Sequence, residues 1–344
     1  MADALISPSV AGAMYVCAGA VGAYCIKKIE LQEDAKKIAM MGIMGAFVFA
    51  TQMINFAIPG TGSSGHLSGG VLLAAILGPY AAFLTMMSVL LIQCLLFADG
   101  GLLALGANIW NMSFYGCFIG AFVWRFFMQN GASRAKIIVA SLLACVLCLQ
   151  LGAFSVVIET LLSGITALPF AIFAAAMQPI HLAIGLVEGC ITAAVLCFIY
   201  ETRGEILYGV GNLAPHAPQT RLTFAKLFGV LSVATLAIAA LLSLVASEFP
   251  DGLEWSLEKV AGTSELESQG GIHEAALKLQ ETTALLPDYA FIDSQSLLGT
   301  SVSGVVGALV VLILCVFACY LFRIFKRKTR AYWPNAPTRC GRFI

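Results

Sequence analysis

GTGSSGHLSGG, residues 60–70, lies between two strongly apolar runs, IAMMGIMGAFVFATQMINFAIP (38–59) and VLLAAILG (71–78). One imidazole, His66, is set among glycines and serines at the point where the chain passes from one apolar run to the next. A flexible surface turn that happens to contain a histidine is one reading. The other is that glycine lets the backbone fold tightly around whatever the imidazole holds.

The flanks decide the class. Of 344 residues, 60% are hydrophobic and only 11% charged, with a mean hydropathy of +0.91, whereas soluble domains carry about 25% charged residues. The apolar runs are continuous, without period-two alternation, and spanning backbone in lipid must satisfy its own hydrogen bonds. The fold class expected is therefore an all-α integral membrane protein in a lipid bilayer. Net charge is zero, which offers no basis for a nucleic-acid partner. Ten of the eleven cysteines lie in apolar runs, the eleventh being Cys340 in the basic tail. Cys145 and Cys148, spaced as a CxxC pair within a helical run, read as small packing residues. No basic region precedes the first apolar run, so a cleavable signal peptide is not expected.

Spans are expected at 8–26, 38–58, 67–78, 79–97, 103–126, 136–158, 179–200, 222–246 and 299–324. Residues 160–178 are apolar but interrupted by Gly164 and Pro169, and are expected to lie across the outer surface or to re-enter. About seven helices would make a compact bundle over 1–203. A cytoplasmic linker follows at 204–221, containing a solvated His216. An accessory unit at 222–344 has two further helices flanking a small external module at 247–298. That module holds ten acidic residues against Lys259 and Lys278. Either it is a plain solvated loop domain or its negative potential enriches cations nearby. The basic clusters are Lys27/Lys28/Lys36/Lys37, Arg125/Arg134/Lys136, Arg203/Arg221 and the tail with seven Lys or Arg. Placed inside, they put the N-terminus outside and the C-terminus in the cytoplasm of a cell inner (plasma) membrane protein. Helices 67–78 and 79–97 must then be separate crossings joined at Gly78-Pro79, the first short enough to need a protein cover.

Polar groups in such spans are functional candidates by default. Glu188 follows His181 by seven residues on one helix face. Asn108 and Asn111 share a face, as do Gln52 and Asn55, and Asp99 closes the opposite turn. For the amide pairs, interhelical hydrogen bonding is the plainer role. Ser7 before Pro8 starts a helix, leaving residues 1–6 extended and free to tuck inward. Met1, Ala2 and Asp3 would then bring an amine, amides and a carboxylate towards His66. Amine, imidazole and amide nitrogens suit Ni²⁺, Co²⁺ and Cu²⁺.

Residues 60–116 contain HLSGG, ILGP, LIQCLLFADGG, ALGAN and NM, and PIHLAIGLVEG follows at 179–189. These elements closely resemble the substrate-specific membrane subunit of cobalt/nickel energy-coupling-factor transporters, over roughly residues 3–203. PDGLEWSLEKV at 250–260 resembles the accessory small subunit of the same transporters, here fused into one chain. The resemblance implies a transport component, not an enzyme. It would capture a divalent transition metal as substrate, with no permanently bound cofactor; an oxygen-richer donor set favours Co²⁺ (for cobalamin synthesis), with Ni²⁺ close behind. Its partners would be a transmembrane coupling subunit and cytoplasmic ATPase subunits. The chain has no GxxxxGK[ST] of its own.

The family's ligands are the N-terminal amine, a second-residue histidine and the loop histidine, here His66. This chain begins MADALISP, with Asp3 in the Asp-x-x-x-Ser-Pro pattern but no histidine at position 2. The small Ala2 also permits removal of Met1. Three substitutes stay open: Asp3 or another oxygen, an approach by His181, or a different metal. The alternatives of another class are a membrane-embedded metal enzyme using His181 and Glu188, and a stand-alone channel.

Overall fold

The structure is a computed structural model and describes residues 1–29, 35–210, 222–264, 266, 270–291 and 297–332, with side chains as far as 321 in the last helix. His216, Arg221 and Cys340 lie outside the described residues.

The helices are α1 (Pro8–Lys28), α2 (Ala35–Gln52), α3 (Gly70–Leu77), α4 (Pro79–Phe97), α5 (Leu105–Asn108), α6 (Gly120–Met128), α7 (Arg134–Ser163), α8 (Phe170–Arg203), α9 (Phe224–Ala240), α10 (Gly252–Ala261), α11 (Gly271–Thr283) and α12 (Leu297–Tyr332). A π-helical stretch, Ile109–Ile119, joins α5 to α6 into one rod. Among the described residues six helices are long and apolar enough to cross a membrane: α1, α4, α7, α8, α9 and α12.

Four expectations are corrected. The run at 38–58 does not stay helical: α2 stops at Gln52, and Phe56–Ile58 forms a strand, β1, antiparallel to β2 at Ser63–Gly65. Pro59 ends helical continuation, and Gly60 and Gly62 at φ 78° and 73° turn the chain back. Second, residues 1–6 are not extended and free. Asp3–Leu5 make a 3₁₀ turn, and Leu5 and Ile6 are fully buried. Third, residues 160–178 neither re-enter nor lie flat. Gly164, in the left-handed region at φ 61°, ends α7, and α8 begins just after Pro169. Pro179 thus lies inside α8, not at its start. At 34 residues α8 is roughly 51 Å long and outruns a hydrocarbon layer of roughly 30 Å. Fourth, Ser7 precedes Pro8 at the helix start as expected, but its Oγ meets Ser9 Oγ at 3.1 Å and does not cap the backbone.

The Gly78-Pro79 break is where expected. α3 has only eight residues, all buried, so the bundle itself covers it. It starts three residues later than read, because Ser68 and Gly69 belong to the loop.

Helix association in lipid has no hydrophobic drive, so small residues at crossings do the work. Gly185 and Gly189, one turn apart on α8, face Val146 and Leu142 of α7; a Cβ on Gly189 would come within 2.8 Å of the Leu142 Cα. Gly42 and Gly45 of α2 receive Val316 and Val311 of α12, and Gly304 of α12 lies against Ala239 of α9. These contacts seat the last two long helices on the bundle. α3 crosses the π-helical rod at Gly70 and Gly116, where a Cβ on either would meet the other's Cα at 2.8 Å.

Gly116→Val should therefore overpack that crossing by about 1–3 kcal/mol and lower the thermal midpoint of the detergent-purified protein. Gly12→Ala, on α1 with nothing within 4 Å, should leave the midpoint unchanged or raise it. Equal midpoints for Gly116→Val and wild type would refute the close crossing.

Candidate metal site

The loop after β2 is held from three directions. Gly65 passes beneath Ile184, where a Cβ would come within 2.6 Å of that side chain. Glu188, fully buried on α8, accepts from Ser68 Oγ at 2.7 Å and from the Gly69 N–H at 3.0 Å. Gln52, at the end of α2, donates to the Ser68 carbonyl at 2.8 Å. His66 emerges between these anchors, half-buried, with its Nδ1 3.1 Å from the Leu67 carbonyl.

The first residues are fixed against the same face. Asp3 Oδ1 accepts the Ala104 N–H at 2.8 Å, and the Met1 carbonyl accepts from the Gly101 N–H at 3.1 Å and from Asn108 Nδ2 at 3.2 Å. Gly101 has to be glycine here, since a Cβ would fall 1.9 Å from Asp3 Oδ1. From the other side, buried His273 of α11 donates through Nε2 to the Ile6 carbonyl at 3.0 Å.

The PDGLE stretch, with Trp255 after it, closes the arrangement through local contacts. The Pro250 carbonyl accepts the Ser64 N–H at 2.8 Å. Asp251 and Glu254 form a reciprocal capping box at the start of α10. Gly252 allows α10 to sit on α8: a Cβ there would be 3.0 Å from His181 Cε1 and 2.9 Å from Ile184 Cδ1. Trp255 Nε1 donates to the Thr61 carbonyl at 3.0 Å, pinning the hairpin turn.

Between these parts lies a cavity of about 130 Å³, lined by Met1, His66, Asn108, Asn111, His181 and Asp251 among others. His181 Nδ1 is 2.7 Å from the Met177 carbonyl. A carbonyl only accepts, so in both histidines Nδ1 is the donor, which in a neutral ring puts the lone pair on Nε2. Fixing one ring nitrogen on a carbonyl while the other is left for a metal is the usual outer arrangement of ligating imidazole. Among the described residues no three His, Cys, Asp or Glu side chains come together as a ready cluster. A metal held in this cavity would have to draw on main-chain and amide donors as well.

The remaining sequence candidates fall elsewhere. Ala2, Asp3 and Asp99 line a neighbouring groove of about 610 Å³ with Asp251 and Glu254, sharing Met1 with the cavity. Burial pushes the Glu254 carboxyl up, and Asp251 beside it adds to the shift. Asp99 accepts from the Tyr289 hydroxyl. Glu188 holds the loop and does not line the cavity, so it is not paired with His181 as an enzyme would require; seven residues along a helix separate them by roughly 10 Å. Asn55 lies past the end of α2 and uses its carbonyl on the Ser247 N–H. Cys148 does border the cavity, but its thiol reaches the Tyr115 carbonyl at 3.2 Å, and Cys145 lies near Thr192 Oγ1. Sequence reasoning gave no site role to Glu159, Asp251 or Gly252. The D-x-x-E capping pattern at 251–254 was a usable signal for the last two.

Residues 1–206 match the family described as the cobalt uptake substrate-specific transmembrane region. The chain belongs to that family. As a member of this cobalt-uptake family it is a transport component and not an enzyme, and a PDGLE domain is matched at 225–324. A protein of Archaeoglobus fulgidus named for fused nickel transport is 35% identical over 312 residues, 91% of this chain and 95% of its own length. The cobalt transport protein of Sorangium cellulosum is 34% identical over 202 residues, 54% of this chain and 84% of its own. Among solved structures, a truncated transition metal transporter superposes with a TM-score of 0.52 at 31% identity, covering 58% of this chain and 98% of its own.

Two substitutions test the geometry of this cobalt-uptake member. Glu188→Ala leaves Ser68 and Gly69 without their acceptor, a loss of about 1–3 kcal/mol, and should expose the 60–70 loop to protease in the purified protein; Glu188→Gln, which keeps an acceptor oxygen, should restore most of the protection. Gly101→Ala should unseat the first turn, read as faster amide exchange at Leu5 and Ile6. Unchanged exchange there would rule out the Asp3–Gly101 contact.

Proposed function

We propose that the cavity between Met1, His66 and His181 is where one divalent transition-metal ion, Co²⁺ or Ni²⁺, is captured as transport substrate. The observation that carries this reading is that Met1 and two imidazoles, each with its Nδ1 on a main-chain carbonyl, line one cavity. His181 adds a second imidazole from α8. The ion exchanges part of its water shell for these protein donors. Asp3 takes a supporting part in this reading, holding the first turn through Ala104. With nitrogen donors mixed with oxygen, Co²⁺ is favoured over square-planar Ni²⁺.

Charge supports a sidedness for the cavity. Lys27 and Lys28 close α1 at the end away from Met1, Arg134 opens α7 at the end away from Glu159, and Arg203 closes α8 at the end away from His181. Basic ends inside would put the cavity and the acidic groove on the outer face of the plasma membrane. The chain would work with a transmembrane coupling subunit and cytoplasmic ATPases of the energy-coupling-factor kind, the ion serving as a source for cobalamin synthesis. The names of the relatives support the metal class.

The test is uptake of radioactive cobalt by cells producing the chain with its partner subunits. His66→Ala should abolish uptake while membrane abundance stays normal, and His181→Ala should lower it at least about tenfold. Because imidazole donors shed protons on binding, affinity should fall as pH is lowered from about 8 to about 5. Wild-type uptake by His66→Ala, or affinity that rises on acidification, would refute the assignment.

A further inference from the structure

The cavity wall contains a buried amide, Asn111, backed by the buried Glu159, a pair that has no part in the metal site so far. Asn111 lies in the π-helical stretch Ile109–Ile119 and borders the cavity. It is 7% exposed, and its Nδ2 donates to Glu159 Oε2 of α7 at 2.8 Å. Its Oδ1 is buried with no hydrogen-bond partner among the described residues. The carboxylate decides which end of the amide faces it, since only the NH₂ can donate. Oδ1 is therefore turned away from Glu159.

A buried carbonyl oxygen without a partner costs about 1–3 kcal/mol, and such groups call for a reason. Two further features keep this one in place. The wide-turn helix is an uncommon conformation that tends to occur at functional positions. Gly152 of α7 admits the Asn111 backbone so closely that a Cβ would lie 2.8 Å from its carbonyl oxygen. Glu159 is itself 5% exposed, and its hydrogen bond to Asn111 is the side-chain partner it has here.

We propose that Asn111 Oδ1 is an oxygen ligand of the transported ion, and that Glu159 is the positioning residue that turns the amide so that this oxygen faces the cavity. This rests on the cavity being the metal site. It adds a neutral oxygen donor to the nitrogen donors and places a carboxyl group one hydrogen bond behind it, where it offsets the ion's charge in a dry surround. Carboxyl-to-amide-to-metal is the oxygen counterpart of the carbonyl-to-imidazole-to-metal arrangement at His66 and His181. A donor set mixing amide oxygen with imidazole suits Co²⁺ at higher coordination number and works against a planar four-nitrogen Ni²⁺ site.

The experiment is Co²⁺ titration of the purified full chain in detergent, reading the dissociation constant and the d–d absorption spectrum together. Asn111→Ala should weaken Co²⁺ binding by about 10- to 100-fold and change the spectrum, with Ni²⁺ affected less. Asn111→Asp, which keeps an oxygen at that place, should retain a near-wild-type spectrum. Glu159→Ala should reproduce the Asn111→Ala spectrum, and Glu159→Gln, whose amide oxygen still accepts from Nδ2, should rescue it. A merely structural role for Glu159 would lower thermal stability without moving the spectrum, and would overturn the proposal. So would an Asn111→Ala protein with wild-type affinity and spectrum, leaving the cavity assignment standing. Wild-type protein that binds neither ion would remove the cavity assignment, and this inference with it.

Discussion

Backbone buried among spanning helices has no water to turn to, and every N–H and C=O that leaves a helix there needs a protein partner. Among the described residues the segment 53–69 is a long departure from helix at the face of the bundle, with Ser63–Gly65 buried, and the structure depends on how its polar groups are met. The hairpin pairs with itself, Glu188 and Gln52 hold the loop from α8 and α2, and the Pro250 carbonyl takes the Ser64 N–H. Remove Glu188 and the loop carrying His66 loses its hold on α8 at Ser68 and Gly69. The buried carboxylate that looked like half of a catalytic pair is a clamp on backbone.

The same constraint explains why the PDGLE unit lies where it does. Its first residues meet groups of the hairpin that the bundle leaves unmet, Ser64 through Phe249 and Pro250 and the Thr61 carbonyl through Trp255. In doing so it brings Gly252 onto His181 and Asp251 to the rim of the cavity. α11 adds His273 on the Ile6 carbonyl and Gln280 on the carbonyls of Cys94 and Gly100. The first turn of the chain is thus gripped between the bundle and the fused unit.

Much of the helical frame was legible from apolar runs and their punctuation: Pro8, the Gly78-Pro79 break and the spans of α4, α9 and α12. What was not legible has physical causes. FAI at 56–58 is as apolar as a helix turn, and only its pairing with Ser63–Gly65 makes it a strand. Residues 160–178 looked broken because a single glycine and a single proline were read as spoiling a span, whereas they mark one tight turn between two long helices. For the site, His66 and His181 stood out by rarity, and Asn111 by its place in ALGANIWNM. Glu159 did not, because its importance lies in which way it turns an amide on another helix. Asp3, a candidate donor in the sequence, accepts the Ala104 N–H through Oδ1.

The account stands or falls on where the ion rests. Anomalous diffraction at the cobalt edge from the full-length protein loaded with Co²⁺ measures this directly. The account predicts one strong peak inside the cavity, within bonding reach of His66 Nε2 and close to Met1 and His181. A peak in the acidic groove beside Asp99 and Glu254, with the cavity left empty, would contradict it.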